Sequence, residues 1–242
     1  MRRPSLESGL IGLAATAALA AGGFLLLMYA FQERLIFFPQ PLSEPQRAAI
    51  QKRSPSTNEI LLQARDGTRI HAWHVPAASP GAPLVLYFGG NAEEVSWMIQ
   101  EAASQVPGIA WLLVSYRGYG GSEGSPSEAT ISSDALQWYE HATQVLKAKQ
   151  VYVFGRSLGS GPAVLVASER PVAGAVLVTP FDSLIEVAKR HYPFLPVRLM
   201  LRHQFDSIGR ARRSDPIGSR QEALRRLGRR EAVDRARRRG AQ

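Results

Sequence analysis

Four short apolar runs constrain the fold of this chain more than any other feature. They are Leu84-Val85-Leu86-Tyr87-Phe88, Trp111-Leu112-Leu113-Val114, Val151-Tyr152-Val153-Phe154 and Ala175-Val176-Leu177-Val178. A strand with one wet face alternates apolar and polar residues. Uninterrupted runs instead suit strands covered on both faces, as in a parallel sheet sandwiched between helices. Helical patterns separate the runs. Val95, Met98, Ile99 and Ala102 fall on one helical face. Ser125-Pro126-Ser127-Glu128 reads as a helix start, with Ser125 as cap and proline at the first helical position. Alternating β and α elements require right-handed crossovers and an α/β sandwich. Ahead of them, Ile60-Leu61-Leu62 and Ile70–Val75 flank Asp66-Gly67, which predicts a hairpin. In its second strand Ile70, Ala72 and His74 share one face, and His71, Trp73 and Val75 the other.

Two segments match G-x-S-x-G, and their contexts differ. Gly155-Arg156-Ser157-Leu158-Gly159 abuts the third apolar run and is followed at once by Ser160-Gly161-Pro162-Ala163-Val164-Leu165-Val166-Ala167, a buried helix with proline in its first turn. A strand turning sharply into a helix holds the serine hydroxyl out, and the helix N-terminus favours negative charge beside it. Gly120-Gly121-Ser122-Glu123-Gly124 has no abutting strand and reads as a connector. Ser157 is therefore the expected nucleophile, against the plainer alternative of a helix-capping serine. Acyl transfer also needs donors for the developing oxyanion. Phe88-Gly89-Gly90-Asn91 follows the first buried strand. The backbone amides of Asn91 and Leu158 are the expected donors, with helix capping as the other role for the Asn91 side chain.

The N-terminus makes a separate demand. Leu10 to Phe31 contains no charged residue, and as a helix it would rise about 33 Å, enough to cross a bilayer core. It outlasts the apolar core of a secretory signal, although Ala18-Leu19-Ala20 resembles a cleavage site. An uncleaved signal-anchor is expected over a cleaved signal or a buried core helix. Arg2 and Arg3 precede it, so the positive-inside rule predicts a single-pass protein with its domain on the periplasmic or extracytoplasmic side.

The chain has no cysteine, which excludes disulfides, thiolate metal sites and a cysteine nucleophile. Its net charge of +9 is misleading: residues 212–242 carry 11 Arg against 4 acidic groups, leaving the rest nearly neutral. A nucleic-acid reading would apply to that tail alone, and arginine clusters without an aromatic platform are common in solvated tails, so no nucleic acid is expected.

At this point the chain resembles the α/β-hydrolase family, in its single-pass, membrane-anchored branch. The resemblance is carried by Glu33-Arg34-Leu35-Ile36-Phe37-Phe38-Pro39, Gly89-Gly90-Asn91-Ala92, Tyr116-Arg117-Gly118-Tyr119-Gly120, Gly124-Ser125-Pro126-Ser127-Glu128, Gly155-Arg156-Ser157-Leu158-Gly159 and Thr179-Pro180-Phe181-Asp182-Ser183. Gly89 stands where many relatives have His, and Ser115 where many have Asp. The resemblance implies hydrolysis of an ester or thioester, lipid-like in the substrate presented at the membrane, through an acyl-enzyme and with no metal or organic cofactor. Tyr192-Pro193-Phe194-Leu195-Pro196 is a candidate apolar acyl pocket.

The same resemblance implies a triad acid after the next strand and a His after the last one. No His follows His203 and no apolar run after Leu201 exceeds two residues. A C-terminally incomplete hydrolase domain is therefore expected, with His203 or Asp182 as minor candidates for relocated base and acid. The expected division is a basic segment 1–9, a transmembrane helix 10–31, a linker 32–57, the hydrolase domain 58–211 and an Arg-rich tail 212–242, the tail arising from a truncated or shifted reading frame. Other readings of the tail are a basic amphipathic helix on anionic lipid or plain disorder. The alternative function is a catalytically inactive, membrane-anchored interaction protein of the same fold.

Overall fold

In the computed structural model the described residues are 6–79, 81–180, 185–186, 201 and 205. Asp182, His191, Tyr192–Pro196, His203 and the tail 212–242 lie outside them.

Helix α1 (Leu6–Ile36) starts before Leu10 and continues past Phe31 through Gln32, Glu33 and Arg34, so it outruns the expected span at both ends. Its apolar stretch Gly12–Arg34 is long and apolar enough to cross a membrane, and Gln32 near its end is buried. The stretch 32–57, expected as a linker, contains a second helix, α2 (Glu44–Arg53), with Ser43 as N-cap and its Ile50 buried against Trp73 and Val75. Between the helices the chain is sewn to the domain. Pro41 forms a parallel bridge with Gly120, flanked by Gly120 N–H to Gln40 O (2.9 Å) and Leu42 N–H to Gly120 O (2.7 Å).

The predicted hairpin is β1 (Asn58–Gln63) and β2 (Arg69–Val75), paired antiparallel around Gly67 at φ +88°. Then come β3 (Leu84–Phe88), α3 (Met98–Gln105), β4 (Ala110–Ser115), α4 (Glu128–Gln144), β5 (Val151–Arg156), α5 (Ser160–Glu169) and β6 (Gly174–Val178). They form one six-stranded sheet in the order β1-β2-β4-β3-β5-β6. The pairs β4–β3, β3–β5 and β5–β6 are parallel, and β2–β4 is antiparallel. The two sheet faces carry separate cores. Ile70, Ala72, Leu86 and Val153 pack with Trp138 of α4 on one side, while Trp73, Val75, Tyr87 and Leu113 pack with Ile99 of α3 on the other.

Two expectations change. The cap of α4 is Ser127, whose hydroxyl accepts from Thr130 N–H (3.1 Å) while the Thr130 hydroxyl takes the Ser127 amide (2.9 Å). Pro126 thus precedes the cap instead of opening the helix, and Ser125 lies outside it. The fourth apolar run is not doubly covered: β6 is the sheet edge among the described residues, and Val176 and Val178 are exposed. Composition alone does not distinguish an edge strand from a central one, because coverage depends on what packs against it.

Arg117, from the Tyr116–Gly120 segment, fastens the hairpin to α4. Its guanidinium forks onto Asp134 (Nε–Oδ2 2.8 Å, Nη2–Oδ1 2.9 Å) and onto Asp66 of the turn (Nη1–Oδ2 2.5 Å). Those bonds hold the Asp66 carboxyl well below the usual carboxylate range and the Arg117 guanidinium above its own.

Candidate active site

The bend between β5 and α5 has a steric origin. A Cβ on Gly159 would overlap the Phe88 carbonyl oxygen, and one on Gly155 would overlap the Gly159 carbonyl and Ala163. Side chains are excluded at both positions because β5, α5 and the end of β3 converge there. Between them Ser157 is forced to φ +48°, a left-handed conformation that L-residues other than Asn and Asp rarely adopt. Ser157 is exposed, whereas Leu158 is buried. Ser157–Gly159 form a 3-10 turn that leads directly into α5, so the serine sits at a helix N-terminus. Under α5, Phe205 fills the space beside Gly161 and meets Phe37 edge-on at 6.3 Å.

The loop after β3 faces this bend: a Cβ on Gly90 would lie 3.7 Å from both Arg156 O and Ser157 Cβ. Three successive amides of this loop have different fates. Gly90 N–H donates to Glu93 Oε2 (2.6 Å) and Ala92 N–H to Asn91 Oδ1 (3.1 Å). No hydrogen bond from the Asn91 amide occurs among the described residues, and the Leu158 amide belongs to the 3-10 turn that follows Ser157. Glu93 collects three more donors, from Tyr87 Oη (2.6 Å), Trp97 Nε1 (3.1 Å) and Arg156 Nη1 (3.3 Å). Burial and this carboxylate push the Tyr87 hydroxyl pKa upward, so it stays a donor. From below, Tyr116 Oη donates to Gly89 O (2.8 Å).

The Asn91 side chain is not a helix cap. Its Nδ2 donates to Ile36 O (2.5 Å), and its Oδ1 accepts from Phe38 N–H (3.0 Å) and Tyr119 Oη (2.8 Å). It bridges the end of α1, the Tyr116–Gly120 segment and the loop beside Ser157. Sequence reasoning missed this role, and it missed Glu93. A carboxylate two residues beyond a glycine loop was the one available signal for Glu93.

The decoy serine is structural. Ser122 is buried, donates to Ser115 O (2.8 Å) and accepts from His71 N–H (2.8 Å). His71 itself is fully buried, with Nδ1 3.0 Å from Ser115 Oγ. Its Nε2 lies 3.3 Å from Glu59 Oε1 but out of line for a hydrogen bond. Burial, together with the charge of Arg47, pulls its pKa down to about 3, so it is neutral at pH 7. Although this trio imitates a relay, His71 stands three strand spacings from β5, about 14 Å. His74 pairs with Leu112 near the start of β4, and His141 lies in the last turn of α4, both toward the opposite end of the sheet. Among the described residues no histidine is hydrogen-bonded to Ser157, and no cluster of acidic and histidine side chains is arranged to hold a metal.

A mostly parallel sheet in this order, with an exposed left-handed serine where β5 meets α5, is the arrangement of an α/β hydrolase. The relatives agree, and the chain belongs to the α/β-hydrolase family. It is 38% identical over 201 residues to the uncharacterized protein Rv2307c of Mycobacterium tuberculosis, covering 81% of this chain and 70% of that protein. It is 33% identical over 183 residues to the alpha/beta hydrolase domain-containing protein WAV2 of Arabidopsis thaliana (70% of this chain, 58% of that protein). With the lysophosphatidylserine lipase ABHD12 of Danio rerio it shares 32% over 172 residues, 58% of this chain but 45% of that protein. Among solved structures, an alpha-beta hydrolase from Vibrio vulnificus superposes with a TM-score of 0.54 at 20% identity, over 71% of this chain and 65% of that one. No family model matches the chain.

Proposed function

We propose that this chain is a membrane-anchored serine hydrolase that cleaves a lipid-like ester or thioester through an acyl-enzyme at Ser157. The observation that carries the reading is the exposed Ser157 at φ +48°, at the head of α5 and facing the glycine loop after β3. Its hydroxyl attacks the carbonyl, and the Asn91 and Leu158 amides receive the oxyanion. The alcohol or thiol leaves and water then releases the acyl group. The N-terminal end of α5 adds a favourable field for that negative charge. The base would have to come from outside the described histidines, and His203 is the sequence candidate, with Asp182 the candidate acid. The lipase among the relatives and the long apolar stretch of α1 favour a substrate presented at a bilayer.

A second reading, a hydrolase-fold protein without turnover, is favoured by the position of His71, His74 and His141 away from Ser157. One experiment separates the two. A fluorophosphonate probe applied to the full chain in detergent should label wild type and the Ser122→Ala protein but spare Ser157→Ala. A folded wild type that takes no label leaves the second reading standing.

A further inference from the structure

The end of α1 leaves no slack between a bilayer and the loop beside Ser157. The apolar stretch ends at Arg34. Ile36 lies two residues on, about 3 Å along the helix axis, and its carbonyl accepts from the Asn91 side chain. The next bond, from Phe38 N–H to the same side chain, fastens the segment after α1 too. The loop is therefore held within a turn of helix of the point where α1 leaves its apolar environment.

What this loop exposes is the composition of a membrane interface. Phe38 is 52% exposed and Trp97 50% exposed. The Trp97 indole N–H is already satisfied by Glu93, leaving the ring body for other contacts. The Arg156 side chain is 49% exposed and reaches the same carboxylate, which is itself 8% exposed. Scattered exposed aromatics are ordinary. Here, however, Trp97 and Arg156 converge on Glu93, and Phe38 is bonded two residues away at Asn91. Aromatic rings with a guanidinium beside them suit the zone between acyl chains and phosphate headgroups.

We infer that Phe38, Trp97 and Arg156 form a rim that rests on the phospholipid surface into which α1 inserts, so that the Ser157 site opens onto that surface. Substrate then reaches the site from within the leaflet without crossing bulk water. The inference rests on α1 lying in a bilayer and not on turnover at Ser157.

The absence of cysteine makes the test direct. Phe38→Cys, Trp97→Cys and, as control, Val145→Cys are made in the full chain, nitroxide-labelled, and reconstituted into phosphatidylcholine–phosphatidylserine vesicles. Val145 is exposed at the far end of α4, beyond the start of β5. The labels at 38 and 97 should be relaxed more by oxygen than by a water-soluble nickel chelate, and the label at 145 the reverse. If 97 reads like 145, the inference is overturned. Native tryptophan keeps the test valid should a cysteine variant misfold. Trp73, Trp111 and Trp138 are buried, so brominated phospholipid should quench wild type and that quenching should be lost in Trp97→Phe. Equal quenching in both proteins overturns the inference as well. Ser157→Ala should leave every depth unchanged, so depth can stand where probe labelling fails, and the two conclusions fall separately.

Discussion

Ser157 should be a site where glycine is more stable than alanine, the reverse of the usual order. At φ +48° a residue with a Cβ carries a left-handed cost of roughly 1–2 kcal/mol. Glycine escapes that cost but loses about 0.5–1 kcal/mol more backbone entropy on folding. The difference leaves Ser157→Gly more stable than Ser157→Ala by about 0.5–1 kcal/mol. Both variants lack the hydroxyl, so the comparison isolates backbone strain from chemistry. In a chain of this size it corresponds to an apparent Tm higher by about 1–4 °C, measured by scanning fluorimetry of the full chain in detergent. Ser133, inside α4, is the internal control. There glycine should be less stable than alanine by about 1 kcal/mol. If Ser157→Gly melts at or below Ser157→Ala while Ser133 behaves normally, the bend stores no strain at the serine and the elbow argument fails.

Two other perturbations address the scaffold. Arg117→Ala strands the buried Asp134 carboxylate and should cost about 3 kcal/mol, with Arg117→Lys recovering only part because an ammonium cannot fork onto two carboxylates; denaturant titration reads both. Acid should destabilise the fold through His71. Its folded pKa of about 3 lies below the usual 6.5, so the unfolded chain binds the proton first. The stability tied to neutral His71 is intact above pH 6.5 and declines as pH falls toward 3, by up to about 1.4 kcal/mol per unit. Tm measured against pH should show a shallower acid limb in His71→Asn than in wild type.

The parallel core was legible because the first three runs are apolar throughout, and only a doubly covered strand has that need. The same signal overstated the cover at Ala175–Val178, where Val176 and Val178 are exposed and β6 is the sheet edge among the described residues. Helix α2 escaped notice because it docks through one buried residue, Ile50, and so has no apolar period to read. The expected cap at Ser125 gave way to Ser127, whose hydroxyl and amide pair with Thr130. At the site, the elbow was readable because strand, glycines and helix are contiguous in the chain. The partners of Asn91 were not, since its side chain meets Ile36 and Phe38 more than fifty residues away. Local spacing encodes the serine's posture but is silent about what steadies the loop across from it.

The bridge between Pro41 and Gly120, with its two flanking backbone bonds, makes the junction after α1 a bracket in place of a leash. With α1 inserted in a bilayer as proposed, these bonds would couple the tilt of the domain to that of the helix. Anyone wishing to excise the hydrophobic helix for work in plain buffer would have to keep the chain from Ile36 onward. Cutting later would remove part of the wall against which the loop beside Ser157 is set.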